Sequence, residues 1–220
     1  MNRNILQNAP HHLEFLYSRL FAGSVLNTID LKQFEDYQNR FRDADPAPQG
    51  YSKYLDISFW MAEKLMYARR LKLKNAKPLR ILDIGTGPGY FPYICSLYGH
   101  KVVAMDLDTI PMYNEICRFL KIDRKTCRIE KFQKLPDLGM KFDLITAFMI
   151  KFDQHTLPDQ WGVDEWRFFV EDAKANQLSP NGRMYLGLNA RVEDEAHRKL
   201  IGYFLSLGGK IHRNIIDVRP

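Results

Sequence analysis

Ile81-Leu-Asp-Ile-Gly-Thr-Gly-Pro-Gly89 is the stretch that decides the fold. An apolar run carries an acid, Asp83, near its end, and glycines then fall at alternate positions, Gly85, Gly87 and Gly89. Such a run reads as a buried strand. Glycine has no Cβ, so it allows tight turning and close approach of bare backbone to a ligand. Seventeen residues past Gly89 a second apolar run, Lys101-Val-Val-Ala-Met105, ends on Asp106. One strand then delivers its backbone to a small ligand while a carboxylate waits at the tip of its neighbour. In an open parallel sheet, that is where ligands bind.

Working outward, strands and helices alternate from Pro78 onward. The pattern predicts strands at 79–84, 101–106, 127–132, 142–149, 182–189 and 210–218, with helices at 88–98, 109–121, 163–178 and 192–207. This alternation implies an α/β fold, doubly wound, with a mainly parallel sheet covered on both faces. Pro180-Asn-Gly182 reads as a turn before a strand. Glu193-Asp-Glu195 places acids in the first turn of the last helix, and Gly208-Gly209 stops it. Residues 1–77 show helical periodicity instead, with short helices at 12–22 and 30–42. Asp43-Ala-Asp-Pro-Ala-Pro-Gln-Gly50 breaks the pattern. A longer helix is predicted from Tyr51 to about Leu73, with Leu55, Phe59, Ala62 and Met66 along one face. The expected organisation is a helical N-terminal cap or lid, 1–77, and a Rossmann-like domain, 78–220.

Composition narrows the function classes. With 220 residues, 45% hydrophobic and 26% charged, the chain has the make-up of an ordinary globular domain. No apolar stretch approaches the ~20 residues of a membrane span, and the first residues lack the apolar segment of a signal peptide. The expectation is a cytoplasmic protein with no membrane partner. Cys95, Cys117 and Cys127 show no paired spacing, so they are read as reduced and structural, and no metal site is expected. The net charge of +6 and pI of about 9.1 permit a nucleic-acid partner without indicating one. The densest basic group, Arg69-Arg-Leu-Lys-Leu-Lys74 with Lys77 and Arg80, suits the negative end of a helix dipole and reads as a solvated helix end. Nothing in the sequence speaks to the oligomeric state.

The glycine spacing is G-x-G-x-G, whereas a dinucleotide fingerprint is G-x-G-x-x-G. Asp83 stands two residues before the first glycine, where a pyrophosphate would gain little from an acid. Lys141-Phe-Asp-Leu-Ile-Thr-Ala-Phe148 supplies a further apolar strand that opens on Phe-Asp-Leu. Together these segments resemble the class I S-adenosylmethionine (SAM) methyltransferases, over about residues 78–207. The resemblance implies SAM as cofactor and carries roles over by position. Asp83 would lie near the methionine amino group, with backbone contacts from Gly85, Thr86 and Gly87, and Gly89 would let the next helix pack close. Asp106 would accept from both ribose hydroxyls, which a carboxylate can do at once, and Leu107 would pack on the adenine. The loop that normally offers an acid to the adenine amino edge here reads Lys131-Phe-Gln-Lys-Leu-Pro136, leaving Gln133 as its reader. Ala147 and Phe148 would lie beside the methionine portion. A plainer reading stands next to these: Asp83 as a cap for the loop or the helix at 88, and Asp106 as a cap for the helix at 109. The family also ends on a helix and a two-strand hairpin, whereas here one terminal strand looks missing.

Acceptor-side residues in this fold follow the fourth strand, here Met149-Ile-Lys-Phe-Asp-Gln-His155. The Asn/Asp-Pro-Pro-Tyr element of amino-group methyltransferases acting on adenine, cytosine or glutamine is absent, which argues against those substrates; the expected acceptor atom is oxygen more than nitrogen. His155, with an ordinary pKa of about 6.5, is the candidate general base, oriented by Asp153. Lys151 would suit an anionic acceptor, and Asn189 points to the same rim. Trp161, Trp166, Phe168 and Phe169 offer aromatic surface on which a sugar could stack. The reading is methyl transfer to a small-molecule acceptor, a sugar or other polar metabolite. Its rivals are methylation of RNA or a nucleotide-bearing substrate, and SAM binding without catalysis.

Overall fold

The computed structural model describes residues 3–42, 50–149, 160–189 and 195–220, with side chains from residue 11 onward. Two compact units emerge. The first comprises Met1–Lys77, Gly87–Gly99 and Ile110–Ile122. It holds helices α1 (Arg3–Leu26), α2 (Leu31–Arg42), α3 (Ile57–Arg70), α4 (Tyr90–Leu97) and α5 (Pro111–Phe119). Phe34, Met61, Leu65, Met66, Ile94 and Ile116 are all but fully buried within it. The single helix predicted over 51–73 is divided. A 3-10 turn, Tyr51–Leu55, comes first, and α3 then starts where the Asp56 carboxylate accepts from the Phe59 N–H at 3.0 Å. That side chain satisfies one of the orphan donors at a helix start, so a new helix begins there.

The second unit comprises Pro78–Thr86, His100–Thr109 and Asp123–Pro220. Its strands are β1 (Arg80–Ile84), β2 (Lys101–Asp106), β3 (Arg124–Thr126), β4 (Phe142–Phe148), β5 (Leu178–Gly187), β6 (Lys210–His212) and β7 (Ile215–Val218). They form one sheet in the order β3-β2-β1-β4-β5-β7-β6. The first five strands pair in parallel, and β7 runs antiparallel to both β5 and β6. From β1 the chain builds outward to β3 on one side and then resumes with β4 on the other. The switch point therefore falls between β1 and β4. Helices α6 (Val163–Asp172) and α7 (Glu195–Ser206) pack on the sheet through Trp166, Phe169, Leu200 and Phe204.

Three expectations need correction. The third strand is Arg124–Thr126 and not 127–132. Beyond it the backbone bonds elsewhere, as the Leu135 N–H donates to the buried Asp172 carboxylate at 2.8 Å. Pro180-Asn-Gly182 does not precede the fifth strand but lies inside it. The pairing jumps from Phe142↔Leu178 to Leu144↔Arg183, leaving 179–182 as a bulge. Asn181 takes a left-handed φ of 67°, and a Cβ on Gly182 would sit 2.9 Å from the Phe142 and Ser179 carbonyl oxygens. Lastly, 210–218 is not one strand. It is the hairpin of β6 and β7, turned at Arg213, φ 58°, and Asn214, whose amide donates to the Leu188 carbonyl at 2.6 Å. The strand that looked missing is present. Smaller differences are that the helix predicted over 163–178 closes through a π turn, Ala173–Gln177, and that α1 runs well beyond 12–22. Among the described residues, no helix is long and apolar enough to cross a membrane.

Candidate cofactor site

Asp83 lies in β1 between β2 and β4 and is 2% exposed. Such a carboxylate must be met by donors. Thr86 Oγ1 donates to one oxygen at 2.7 Å, and Thr146 Oγ1, from β4, to the other at 2.6 Å. Thr86 is three residues downstream, so Asp83 ties the glycine turn back onto the strand that launches it. Helix α4 takes Gly89 as its N-cap with no side-chain cap. Of the two plainer alternatives for Asp83, the loop anchor is observed and the helix cap is not.

The turn itself depends on glycine. Gly85, Gly87 and Gly89 have φ of 68°, 58° and 81°, a region costly for residues with a Cβ. The N–H groups of Gly85 and Thr86 both donate to the Met105 carbonyl, at 2.8 and 3.2 Å, which pins the loop to the end of β2. Pro88 precedes the helix that begins at Tyr90. Within the helical unit, a Cβ on Gly87 would lie 3.8 Å from the Tyr113 ring, and one on Gly89 would lie 3.0 Å from Cys117 Sγ. Tyr113 receives Tyr51 and Tyr54 edge-on, with ring centroids 5.9 and 5.5 Å away. The Tyr54 carbonyl accepts from the buried Tyr90 hydroxyl at 2.7 Å, and burial pushes the pKa of that hydroxyl up.

Asp106 is the last residue of β2, beside the tip of β1. One of its oxygens accepts from the Leu107 N–H at 2.7 Å, and the other is 4.0 Å from Arg124. Arg124, its side chain only 5% exposed, also lies 3.5 Å from Asp108. Helix α5 has Ile110 as N-cap and no side-chain cap, so Asp106 does not cap it. The Asp106 side chain keeps 18% of its surface exposed. Leu107 is half-buried, and Gln133 is exposed. The loop carrying Gln133 is held at Leu135 by Asp172 and at the Pro136 carbonyl by Gln177 (3.0 Å). Ala147 is fully buried in the sheet core, and Phe148 meets Tyr185 edge-on at the end of β4.

The acceptor side is less developed. His155, Asp153 and Lys151 lie outside the described residues. Trp161, Trp166 and Phe169 are core, packed edge to face and at most 4% exposed, so they offer no stacking surface. The reason is that apolar area this large is stabilised most by burial under α6. Phe168 is half-buried against Phe132, 5.9 Å away. Of the cysteines, Cys95 and Cys117 are buried in α4 and α5, and burial raises the pKa of the Cys127 thiol. Three residues that matter here had escaped the sequence reading. Thr146 and Arg124 carry no motif, and Tyr113 is marked only by an apolar helix face.

No protein-family profile matches the chain, and no curated protein matches it either. Solved structures do. Streptomyces venezuelae DesVI aligns over 73% of this chain and 92% of its own, with 11% identity and a TM-score of 0.52. CalS10, an amino pentose methyltransferase from Micromonospora echinaspora solved with SAM bound, aligns over 71% of this chain at 21% identity and a TM-score of 0.45. The glycopeptide N-methyltransferase MtfA, solved with sinefungin, covers 57% of it at 13% identity and a TM-score of 0.42. This chain spans only 57% of CalS10 and 52% of MtfA. At such identities the likeness is one of fold.

Proposed function

We propose that this chain, whose fold is that of the class I SAM-dependent methyltransferases, is an enzyme that binds SAM at the β1 and β2 tips and methylates a small-molecule acceptor at oxygen. One observation carries the reading: a turn whose three glycines, Gly85, Gly87 and Gly89, all take left-handed φ leaves β1 while Asp106 ends the adjacent parallel strand. The residues fit the cofactor. Gly85 offers main chain unscreened by a side chain, and Thr86 is held in place by Asp83. Asp106, a partly exposed carboxylate at the tip of β2, suits a pair of ribose hydroxyls. Leu107 and Gln133 would meet the adenine, and Ala147 and Phe148 the methionine portion. Gly87 and Gly89 keep the turn open to this shape. Asp83, already engaged by two hydroxyls, acts on the ammonium group through the charge it places beneath the loop.

When bound, SAM supplies a methyl group on an electrophilic sulfonium centre. The chain's own contribution is chiefly positioning, which can lower a barrier by roughly 7–11 kcal/mol. An oxygen acceptor must also lose its proton, and His155 is the base proposed for this, with Asp153 orienting the ring. The acceptor class, a small polar metabolite, rests on the missing amino-group motif, which argues against adenine, cytosine and glutamine acceptors, and on His155 and Asp153 after the fourth strand. Trp161, Trp166 and Phe169, expected to stack a sugar, are buried. Incubating the protein with isotope-labelled SAM and cell extract, followed by mass spectrometry, tests the reading: a labelled small molecule is expected. Labelled RNA or protein alone would overturn the acceptor class, and SAM binding without any labelled product would overturn catalysis. His155→Ala is expected to slow transfer about 10²-fold or more with SAM affinity unchanged, measured by single-turnover kinetics and calorimetry.

A further inference from the structure

Helix α1 buries one side and carries an exposed apolar stripe on the opposite one. On one, Ser18, Ala22 and Val25 are buried in the helical unit. On the other, Leu13, Leu16 and Leu20 remain 66%, 54% and 80% exposed, flanked by Tyr17 and Phe21 at 47% each. A solvated helix face ordinarily carries charge, and a contiguous exposed apolar stripe marks a surface that meets a partner. The stripe has a cationic rim. The Arg69 guanidinium stacks 3.9 Å over the Tyr17 ring and 5.6 Å from that of Phe21. Arg70 donates to Glu14 at 2.7 Å, which engages the only acid between residues 11 and 26. Arg19 lies exposed on α1 itself. The basic run that reads in sequence as a solvated helix end is thus, at Arg69 and Arg70, the border of an apolar face.

We infer that this face of α1 seats the protein on an anionic lipid surface. The leucines enter the acyl boundary, Tyr17 and Phe21 lie at headgroup level, and Arg19 and Arg69 pair with lipid phosphates. Charge selects this occupant over a second copy of the chain. Two copies joined through the stripe would bring two arginine rims together, whereas acidic headgroups neutralise one. The association is with a surface and involves no crossing, and it revises the expectation that no membrane is involved.

Flotation of the full chain with vesicles of phosphatidylcholine, with and without phosphatidylglycerol, tests this. The protein is expected to float with the anionic vesicles at low salt, to be released as salt rises, and to bind neutral vesicles poorly. Leu16→Ser with Leu20→Ser should abolish flotation. Arg19→Gln and Arg69→Gln should each lower the partition about fivefold, the equivalent of about 1 kcal/mol per cation. The leucine pair is more than half exposed, so its variant should melt with the wild type. Absence of flotation with anionic vesicles, or equal flotation of the leucine variant, would overturn the proposal. So would a dimer in sedimentation equilibrium that this variant dissociates, since the stripe would then belong to a second copy.

Discussion

The Asp83 carboxylate accepts from Thr86 on one oxygen and from Thr146 on the other, so removing it strands two buried hydroxyl groups. Each loses a charge-assisted bond, and Asp83→Ala should destabilise the fold by about 2–4 kcal/mol. Thermal unfolding would measure this, and a variant melting with the wild type would contradict the anchoring role. At the other end of the same strands, Asp143 accepts from the Arg80 side chain at 3.0 Å, from the Arg80 N–H at 2.9 Å and from Ser179 at 2.8 Å. Its hydrogen bond from the Arg80 side chain is the main cause that lowers its pKa from 3.8 to about 2. A carboxyl group depressed in the folded state contributes stability above its unfolded pKa and loses it as pH falls through the folded one. The stability gap between wild type and Asp143→Asn is therefore expected in full above about pH 4 and to vanish toward about pH 2. Both partners are partly exposed, so the gap is small and shrinks with salt. Melting temperatures across this range check it.

At the scale of elements, α4 begins where three constraints meet. Gly89 is its N-cap, has φ of 81°, and faces Cys117 Sγ at 3.0 Å from the position of a Cβ. Gly89→Ala should cost about 1–3 kcal/mol, from left-handed strain plus overpacking. Adding Cys117→Ala should recover the packing part only, which a double-mutant cycle by denaturant unfolding would resolve. Full recovery would mean that backbone strain is negligible. Elements also show why sequence reading succeeds or fails. β1 and β4 were legible because both of their faces are buried, and a continuous apolar run allows few other readings; β2, half-buried, keeps the same apolar run. The bulge at 179–182 reads in sequence as a turn before a strand, and the turn at Arg213-Asn214 reads as the middle of one strand. Proline, asparagine and glycine signal a change of backbone direction without saying whether pairing resumes in the same strand or the next. β3 is three residues long, polar throughout and at the sheet edge, so its periodicity had nothing to repeat.

At the scale of the whole molecule, the strand order completes what the motifs began. Asp83 and Asp106 stand 23 residues apart in sequence, and the parallel pairing of β1 with β2 makes them neighbours at two strand ends. That juxtaposition was legible because a strand–glycine–helix–strand unit has essentially one handed solution. The supporting residues were not legible. Thr146 reaches Asp83 across 63 positions and Arg124 reaches Asp106 across a strand pairing, and neither has a local signature. If the strand tips hold a nucleoside through its ribose, binding and the acid at 106 must be coupled. Calorimetric titration of SAM into the wild-type protein and Asp106→Ala tests this most directly. The wild type should bind, and the variant, shown to be folded by a cooperative melting transition, should bind at least about tenfold more weakly. No binding heat from the folded wild type, or equal affinity in the two proteins, would contradict the account.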